Sequence, residues 1–299
     1  MTLLQRTAGV LMLLAVLLVP AATLAQDNDT ITVGGSGIAA PVFEALIAAS
    51  GVEGAFDVAV QGTGAGLADL CAGTLDVALA GRAIDPLEEA ACDAAGVAFV
   101  ELQLANEALA VIVSSDNNRL ECVTVSNFNT LFAPSARGTT ISWSTLDAAA
   151  PVADVALVLP PATTTAYALL DTLTSGDGIR TDAALAADYA AVIEQVAGNA
   201  DAIGVVNLAA ASGAEGVRVL PVSNPVAVTC YDATPENIEN GNYQAGLPLF
   251  AYVNAASLDK AGLSDVLAFA AGDGAAEAVS TAGVTPLSAT AAATLADVV

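Results

Sequence analysis

Residues 61–84 read QGTGAGLADLCAGTLDVALAGRAI, which predicts a turn, a helix, a strand and a second turn in that order. The glycine- and threonine-rich beginning is typical of a turn that opens a helix, and the apolar run 74–80 is typical of a buried strand. A lone arginine, Arg82, follows that strand. Glycine lets a backbone approach a ligand closely, and free N–H groups at a helix start attract anions. The stretch therefore predicts half of an anion pocket.

Outside this stretch, short apolar strands alternate with alanine-rich helices, which predicts an α/β protein. The helix 86–95 has the clearest boundaries, because Asp85 can cap it, Pro86 suits its first position and Gly96 can end it. Glu88 stands three residues after the cap, as in a capping box. The other predicted helices are 41–50, 126–132, 164–173, 183–196 and 256–271, and the predicted strands are 31–33, 56–60, 74–80, 97–102, 109–113, 155–159, 202–206 and 249–253.

Three strand-to-helix turns share one design. They lie at 33–38 (VGGSGI), 62–66 (GTGAG) and 159–165 (LPPATTT). Each offers backbone amides, a hydroxyl group and the positive end of a helix dipole, so three such turns together could hold an oxyanion with neutral donors. Each turn taken alone also fits an ordinary turn of an α/β protein. None is a Walker loop, and GTGAG lacks the full spacing of a dinucleotide-binding motif.

The charge balance excludes several functions. The chain has 32 Asp plus Glu against 7 Lys plus Arg, a net charge of −25, which argues against nucleic acid or anionic membrane as a partner. Ser36 lies outside any GxSxG elbow, and with no histidine there is no Ser-His-Asp triad. We therefore predict a binding protein with no cofactor or metal; a hydrolase acting through carboxylates is the weakest alternative. Arg82 is either a ligand or a surface salt-bridge residue, and we interpret Glu88 and Glu89 as a solvated face.

The N-terminus predicts export. Arg6 precedes an apolar run at 10–20, and small residues at 21–25 offer a cleavage site, so we interpret 1–25 as a signal peptide. A retained membrane anchor is the alternative, but the apolar run is short for a bilayer span. Cleavage after Ala25 would leave a periplasmic or extracellular protein.

The four cysteines, Cys71, Cys92, Cys122 and Cys230, suit an oxidising compartment. Three pairings are possible, and the sequence alone does not choose between them. The simplest joins Cys71 to Cys92 and Cys122 to Cys230. Zinc binding is the competing interpretation, although the chain has neither a CxxC motif nor a histidine.

Over nearly all of its length after residue 25, the chain resembles the phosphate-binding proteins of high-affinity phosphate ABC transporters. The shared motifs, in order, are a GSG turn at 35–37 with an apolar helix after it, GTGAG at 62–66, GTLD at 73–76 and GRAI at 81–84. Paired cysteines similar to Cys71 and Cys92 also occur in some members. Further similar blocks lie at 109–113, at 123–132 with Trp143, at 196–199 with 202–204, and at 248–254.

This resemblance implies an α/β two-lobed periplasmic-binding-protein fold, the type II venus flytrap, with mixed sheets. Lobe 1 would comprise 26–113 and 247–299, lobe 2 would comprise 114–246, and crossover strands would lie at 109–113 and 249–253. The implied function is capture of inorganic phosphate or a similar oxyanion by cleft closure, without chemistry, in a monomer that docks on a membrane permease. The implied ligand-binding residues are Ser36, Gly37, Ile38, Thr63 and Arg82 in lobe 1 and Thr163, Thr164 and Thr165 in lobe 2.

Three positions depart from the family pattern. Gly81 stands where a serine or aspartate is usual, Leu159 where some members have an anion-pairing arginine, and Thr164 where the turn has a glycine. A charge-assisted hydrogen bond contributes about 1.5–3 kcal/mol, so a missing arginine predicts phosphate binding weakened by about tenfold or more. The alternative is therefore a degenerate member that acts as a sensor or surface interaction protein, with weak or different ligand binding.

Overall fold

The structure is a computed structural model that describes residues 30–52, 54–174, 178–225 and 229–299. The strands are β1 (Ile31–Gly35), β2 (Phe56–Val60), β3 (Val77–Ala80), β4 (Phe99–Ser114), β5 (Ala156–Leu159), β6 (Ala184–Leu185), β7 (Ala202–Asn207), β8 (Val217–Val219), β9 (Val222–Asn224), β10 (Thr229–Tyr231) and β11 (Gly246–Asn254). The helices are α1 (Ala40–Ser50), α2 (Thr63–Cys71), α3 (Pro86–Ala95), α4 (Val125–Phe132), α5 (Trp143–Leu146), α6 (Thr165–Leu173), α7 (Tyr189–Ala197), α8 (Leu208–Ala211), α9 (Pro235–Glu239), α10 (Leu263–Ala270), α11 (Ala275–Thr281) and α12 (Ala289–Val298).

One mixed sheet runs through the molecule in the strand order β2-β1-β3-β11-β4-β7-β5-β6, with β8 also paired to β4. The outer pairs are parallel, whereas β11 and β4 run antiparallel to their neighbours. Strand β4 belongs to both halves of the sheet. Its residues up to Ala108 pair with β11, and those from Leu109 pair with β7. Strand β4 therefore connects two halves, each with parallel strands at its outer edge.

Each half of the sheet packs against its own helices. The first core draws on residues before 106 and after 248, among them Phe43 of α1 and Leu267 of α10. The second core lies within 108–245 and includes Phe128 of α4 and the single tryptophan, Trp143, both fully buried. The predicted α/β fold with a mixed sheet is confirmed. The lobe boundaries at 113/114 and 246/247 stay a prediction.

Four predicted elements differ clearly from the structure. The strands 97–102 and 109–113 are one strand, β4, because β11 continues the ladder across the residues between them. The helix 183–196 is wrong in its first part, since Ala184–Leu185 pair with β5 and the helix begins after Asp188, whose carboxylate accepts from the Ala191 amide at 2.8 Å. The helix 256–271 is interrupted at Gly262, which has a left-handed φ of 87°, so α10 starts only at Leu263.

Helix α3 has the predicted boundaries. The Asp85 carboxylate accepts from the amides of Leu87 at 2.8 Å and Glu88 at 3.0 Å. The Glu88 carboxylate accepts from the Asp85 amide at 3.0 Å, which completes the capping box. Gly96 ends the helix with a φ of 73°. The turn 81–85 that precedes α3 is therefore rigidly attached to it.

Two disulfides join Cys71 to Cys92 and Cys122 to Cys230, which is the simplest of the three possible pairings. The zinc interpretation is wrong, because the disulfides engage all four cysteines. The predicted signal peptide, 1–25, lies outside the described residues. No helix in the described ranges has both the length and the apolar character needed to cross a bilayer.

Candidate anion-binding cleft

Strands β1 and β2 are parallel neighbours that end together, which gathers the first two predicted turns, and β3 lies on the other side of β1. The Ser36 amide donates to the Leu79 carbonyl at 2.8 Å. The amides of Gln61 and Gly62 both donate to the Gly35 carbonyl, at 3.1 and 2.9 Å. The turn after β1, the turn before α2 and the end of β3 are thus fixed to one another by backbone hydrogen bonds.

Glycine is required where α2 crosses β1. A side chain at Gly66 would place its Cβ 2.7 Å from the Gly35 Cα, and one at Gly35 would place its Cβ 2.2 Å from the Leu79 carbonyl oxygen. Both distances are shorter than any van der Waals contact allows, and Gly35 also has a φ of 129°. The glycines of these motifs therefore bring the start of α2 down onto the end of the sheet.

Hydroxyl groups and backbone amides meet at this point. The Ser36 hydroxyl accepts from the Ile38 and Ala39 amides at 3.3 and 3.4 Å, and the Thr63 hydroxyl accepts from the Gly81 amide at 3.1 Å. A Cβ at Gly81 would lie 3.5 Å from the Ser36 hydroxyl and 3.9 Å from the Thr63 hydroxyl. The structure thus brings Ser36, Thr63 and Gly81 together, and leaves space beside both hydroxyls.

The start of α2 adds donors to this group. Helix α2 has no side-chain cap, and its N-cap residue, Gly62, has a φ of 93°. Within the described part of the chain, the amides of Thr63, Gly64 and Ala65 have no hydrogen-bond acceptor. Such free N–H groups at the positive end of a helix bind anions.

Arg82 does not point toward these donors. Its guanidinium forms two hydrogen bonds of 2.7 Å with the Glu88 carboxylate and donates to the Ala83 carbonyl at 3.0 Å. The hydrogen bond from Arg82 lowers the pKa of Glu88, and the same bond raises the pKa of Arg82. The salt-bridge interpretation of Arg82 thus describes this structure. Glu88 is not the solvated residue we predicted, whereas Glu89 is exposed.

The third turn caps α6. The Thr164 hydroxyl accepts from the Tyr167 amide at 3.4 Å and donates to the Pro161 carbonyl at 2.7 Å. The Thr165 hydroxyl lies 3.4 Å from the Tyr189 hydroxyl, while Thr163 is exposed. Thr164 therefore serves the helix itself, and Thr165 is the threonine of this turn that points to other polar side chains.

A cavity of about 390 Å³ lies between the two halves of the molecule. Ile38 and Pro41 line it from the first half, and Thr165, Tyr189 and Asn207 line it from the second. Two of the predicted ligand-binding residues, Ile38 and Thr165, thus face one cavity. The other predicted residues, Ser36, Gly37, Thr63, Arg82, Thr163 and Thr164, are not among the residues that line it.

Sequence reasoning missed Glu107, which also lines this cavity. Glu107 lies on β4 where the strand passes from the first half to the second, and only 2% of it is exposed. Burial raises the pKa of Glu107 to about 7, although hydrogen bonds from the Ala108 amide and the Thr165 hydroxyl act against this. A carboxylate inside the apolar run 104–113 was the signal that could have revealed it.

Asn207 was also missed, and it connects the two halves. Its side-chain oxygen accepts from the Ala210 amide at 2.9 Å and so caps α8. Its side-chain nitrogen donates to the Gly283 carbonyl at 2.8 Å. Gly283 directly precedes Val284 of the first core, so this hydrogen bond joins the two halves at the cavity that both residues line.

A family model for the PBP superfamily domain matches residues 20–273. Among characterised proteins, Protein SphX of Synechocystis sp. (strain ATCC 27184 / PCC 6803 / Kazusa) is 28% identical over 254 residues, which cover 82% of this chain and 74% of SphX.

Two solved structures are similar over most of the chain. A possible phosphate binding protein from Planctomyces limnophilus DSM 3776 is 25% identical with a TM-score of 0.78, and the match covers 90% of this chain and 98% of that one. PstS from Borrelia burgdorferi is 18% identical with a TM-score of 0.66, over 87% of this chain and 99% of that one, and shows the fold alone.

Proposed function

We propose that this chain, which belongs to the PBP superfamily, captures inorganic phosphate or a similar oxyanion and carries it to a membrane permease of an ABC transporter. The observation that carries the proposal is the convergence of Ser36, Thr63 and Gly81 beside the uncapped start of α2. The similar protein from Planctomyces limnophilus is described as a possible phosphate binding protein, which supports phosphate as the ligand.

Neutral donors suffice for this task. The free amides of Thr63, Gly64 and Ala65 and the hydroxyls of Ser36 and Thr63 can each donate to an oxyanion, and such charge-assisted bonds contribute about 1.5–3 kcal/mol each. Neutral donors also suit a chain with a net charge of −25, because it has only 7 Lys plus Arg residues that could pair with an anion. The start of α6, with Thr163, Thr164 and Thr165, would meet the anion from the opposite side.

Binding of this kind needs no chemical step. An anion held between the two halves stabilises the closed form over the open form by its contacts with both, and thereby shifts the equilibrium between them. We accordingly propose a monomeric solute-binding protein rather than an enzyme. We also propose export to the periplasm or the cell exterior. The support is the signal peptide predicted from the sequence at 1–25, which lies outside the described residues.

Isothermal titration of the purified protein with phosphate tests this function. We expect Thr63→Val to weaken binding by about tenfold or more, because it removes a hydroxyl donor without changing the size of the side chain. Thr130→Val is the matched control, since Thr130 lies on α4 and its hydroxyl donates to the Ser126 carbonyl of the same helix, at 3.2 Å.

Two results would contradict the proposal. If neither phosphate nor other oxyanions bind the wild-type protein, anion capture is wrong. If phosphate binds and Thr63→Val binds it equally well, the ligand lies elsewhere. Tight stoichiometric binding would in turn eliminate the degenerate sensor, which rests on the residues Gly81, Leu159 and Thr164 alone.

A further inference from the structure

Glu107 is a buried titratable group that takes no part in the anion contacts proposed above. Its carboxyl group faces the cavity between the two halves, on the strand that both halves share. Among the described residues that line this cavity, Glu107 supplies the sole carboxyl group, and none is lysine or arginine. A negative charge on Glu107 opposes anion binding, so the affinity for an anion depends on whether Glu107 is protonated.

Glu107 adjoins the donor group through one leucine. Leu247 of β11 is paired directly with Glu107 of β4, and residues paired in this way point their side chains to the same face of a sheet. A Cβ at Gly81 would lie 3.8 Å from Leu247 Cδ1, and the space beside Gly81 is the one bordered by Ser36 and Thr63. On the other side, Glu107 shares the lining of the cavity with Thr165, itself a predicted anion ligand, and the Thr165 hydroxyl acts to lower the pKa of Glu107.

Within the described part of the chain, no charged side chain from an element packed on β4 compensates Glu107. Strands β7 and β11 and helix α8 contain no charged residue, and Tyr189 is the titratable neighbour that α7 contributes to the cavity. Two charged groups on other elements packed on β4 are hydrogen-bonded elsewhere: Arg218 of β8 donates to the Asn117 and Leu120 carbonyls, and Glu239 of α9 accepts from Asn106 and Ser288. Asp171 lies six residues along α6 from Thr165. The remaining charged residues are exposed to solvent: Glu44, Glu194 and Asp297.

An ionised Glu107 and a bound anion would therefore repel each other in a half-enclosed cavity with no cation between them. Like charges in one site disfavour the ionisation of both groups, and burial already raises the pKa of Glu107 to about 7. One added proton removes the repulsion. It can sit on Glu107, which then donates to an anion oxygen, or on the anion, which then donates to Glu107.

We propose, given the anion capture proposed for this cleft, that the complex holds one proton between Glu107 and the anion, so that capture takes up a proton and weakens in alkaline solution. The proton comes from solvent, no covalent bond other than that O–H bond forms or breaks, and the charge of the complex is one unit less negative. Glu107 thereby determines which protonation states of the cleft and the oxyanion can combine.

Isothermal titration with phosphate in two buffers of different ionisation enthalpy counts the protons taken up on binding. At about pH 8, one unit above the pKa of Glu107, we expect the wild-type protein to take up close to one proton more than Glu107→Gln. Near pH 5.5 Glu107 is already protonated, so the difference should vanish. Above neutral pH, each added pH unit should lower wild-type affinity by about tenfold relative to the affinity of Glu107→Gln, because the wild type takes up one more proton on binding. The titration of phosphate itself affects both proteins equally and cancels in this comparison.

A control variant and two distinct outcomes distinguish the role of Glu107 from phosphate capture itself. Glu101→Gln, on the exposed part of the same strand, should behave as wild type. Equal proton uptake by wild type and Glu107→Gln would overturn the role of Glu107 while leaving phosphate capture intact, whereas absence of any binding by wild type would overturn capture itself. If Glu107→Gln does not fold, infrared difference spectra of the wild type at about pH 8 decide: binding should strengthen either a buried carboxylic acid band or a dihydrogen phosphate band, according to where the proton sits, and the absence of both would refute the proposal.

Discussion

Asp76 illustrates how a residue of a family motif serves the fold. It ends the GTLD motif, is 6% exposed and accepts hydrogen bonds from the Thr32 amide, the Ser257 hydroxyl and Lys260 Nζ, the last at 2.8 Å. It thereby connects β1 and β3 to the chain that follows β11. Burial raises the pKa of Asp76, but the hydrogen bonds from Lys260, Ser257 and Thr32 outweigh it, so its pKa lies below the ordinary value.

We expect Asp76→Asn to lower the free energy of unfolding by about 3 kcal/mol near neutral pH, because it leaves Lys260 without its partner. A carboxyl group whose folded pKa is lowered stabilises the protein above its unfolded pKa, about 3.9, and this contribution is lost as the pH falls through the folded value. Urea denaturation should therefore show the wild type and Asp76→Asn converging below about pH 4. The exposed Asp57→Asn on β2 is the control, and a difference that persists in acid would contradict this account.

Arg82 can bind an anion only if it exchanges Glu88 for that anion. Glu88→Gln keeps the acceptor that caps α3 and removes the competing charge. We expect phosphate affinity to rise severalfold in Glu88→Gln and to fall about tenfold in Arg82→Gln, measured by titration. If neither variant changes the affinity, Arg82 is a structural salt-bridge residue and not a ligand.

Among the elements, the two disulfides differ in the length of chain that they enclose. Cys71–Cys92 spans 21 residues and Cys122–Cys230 spans 108. Chain entropy gives about 3.3 kcal/mol for the short loop and about 4.8 kcal/mol for the long one. We expect the Cys122→Ala/Cys230→Ala variant to lose more unfolding free energy than Cys71→Ala/Cys92→Ala in urea denaturation. Equal losses, or the reverse order, would contradict loop entropy as the cause.

Local chemistry made some elements and site residues predictable. Helix α3 follows from its own cap and its final glycine, and the proximity of Ser36 and Thr63 follows from parallel strands that end at one edge of a sheet. The partner of Arg82 could not be predicted in this way. The turn before α3 is fixed by the Tyr252 hydroxyl, which accepts from the Ile84 amide at 2.8 Å across 168 residues of sequence.

Distant contacts also explain why Glu107 was missed. Its run of apolar neighbours is typical of a buried strand, and a periodic pattern does not reveal that two halves of the molecule meet at one residue of that strand. Only the change of partner of β4, from β11 to β7, identifies the junction. Junctions of this kind depend on topology, which hydrophobic periodicity leaves open.

For the whole molecule, the relevant contact is the hydrogen bond from the Asn207 side chain to the Gly283 carbonyl, which joins the two halves. We expect Asn207→Ser to open the protein in the absence of ligand, because serine still caps α8 but is too short to reach Gly283. Small-angle X-ray scattering should show a larger radius of gyration. Asn199→Ser is the matched control, since the Asn199 side chain accepts from the nearby Asp201 amide, at 2.9 Å, within the same turn. Unchanged scattering from Asn207→Ser would show that this bond does not govern closure.

The central position of β11 also governs how a newly made chain matures. The second core lies wholly within 108–245, so it can form while the ribosome is still adding residues, but the first sheet half lacks the strand that fills the gap between β3 and β4. Residues 115–254, 140 in number, separate the end of β4 from the end of β11. At about 5–20 residues per second, the gap between β3 and β4 stays open for about 7–28 s after β4 is made. Each nascent chain therefore passes through an interval of aggregation risk, in which a chaperone that covers this gap would raise the yield of folded protein.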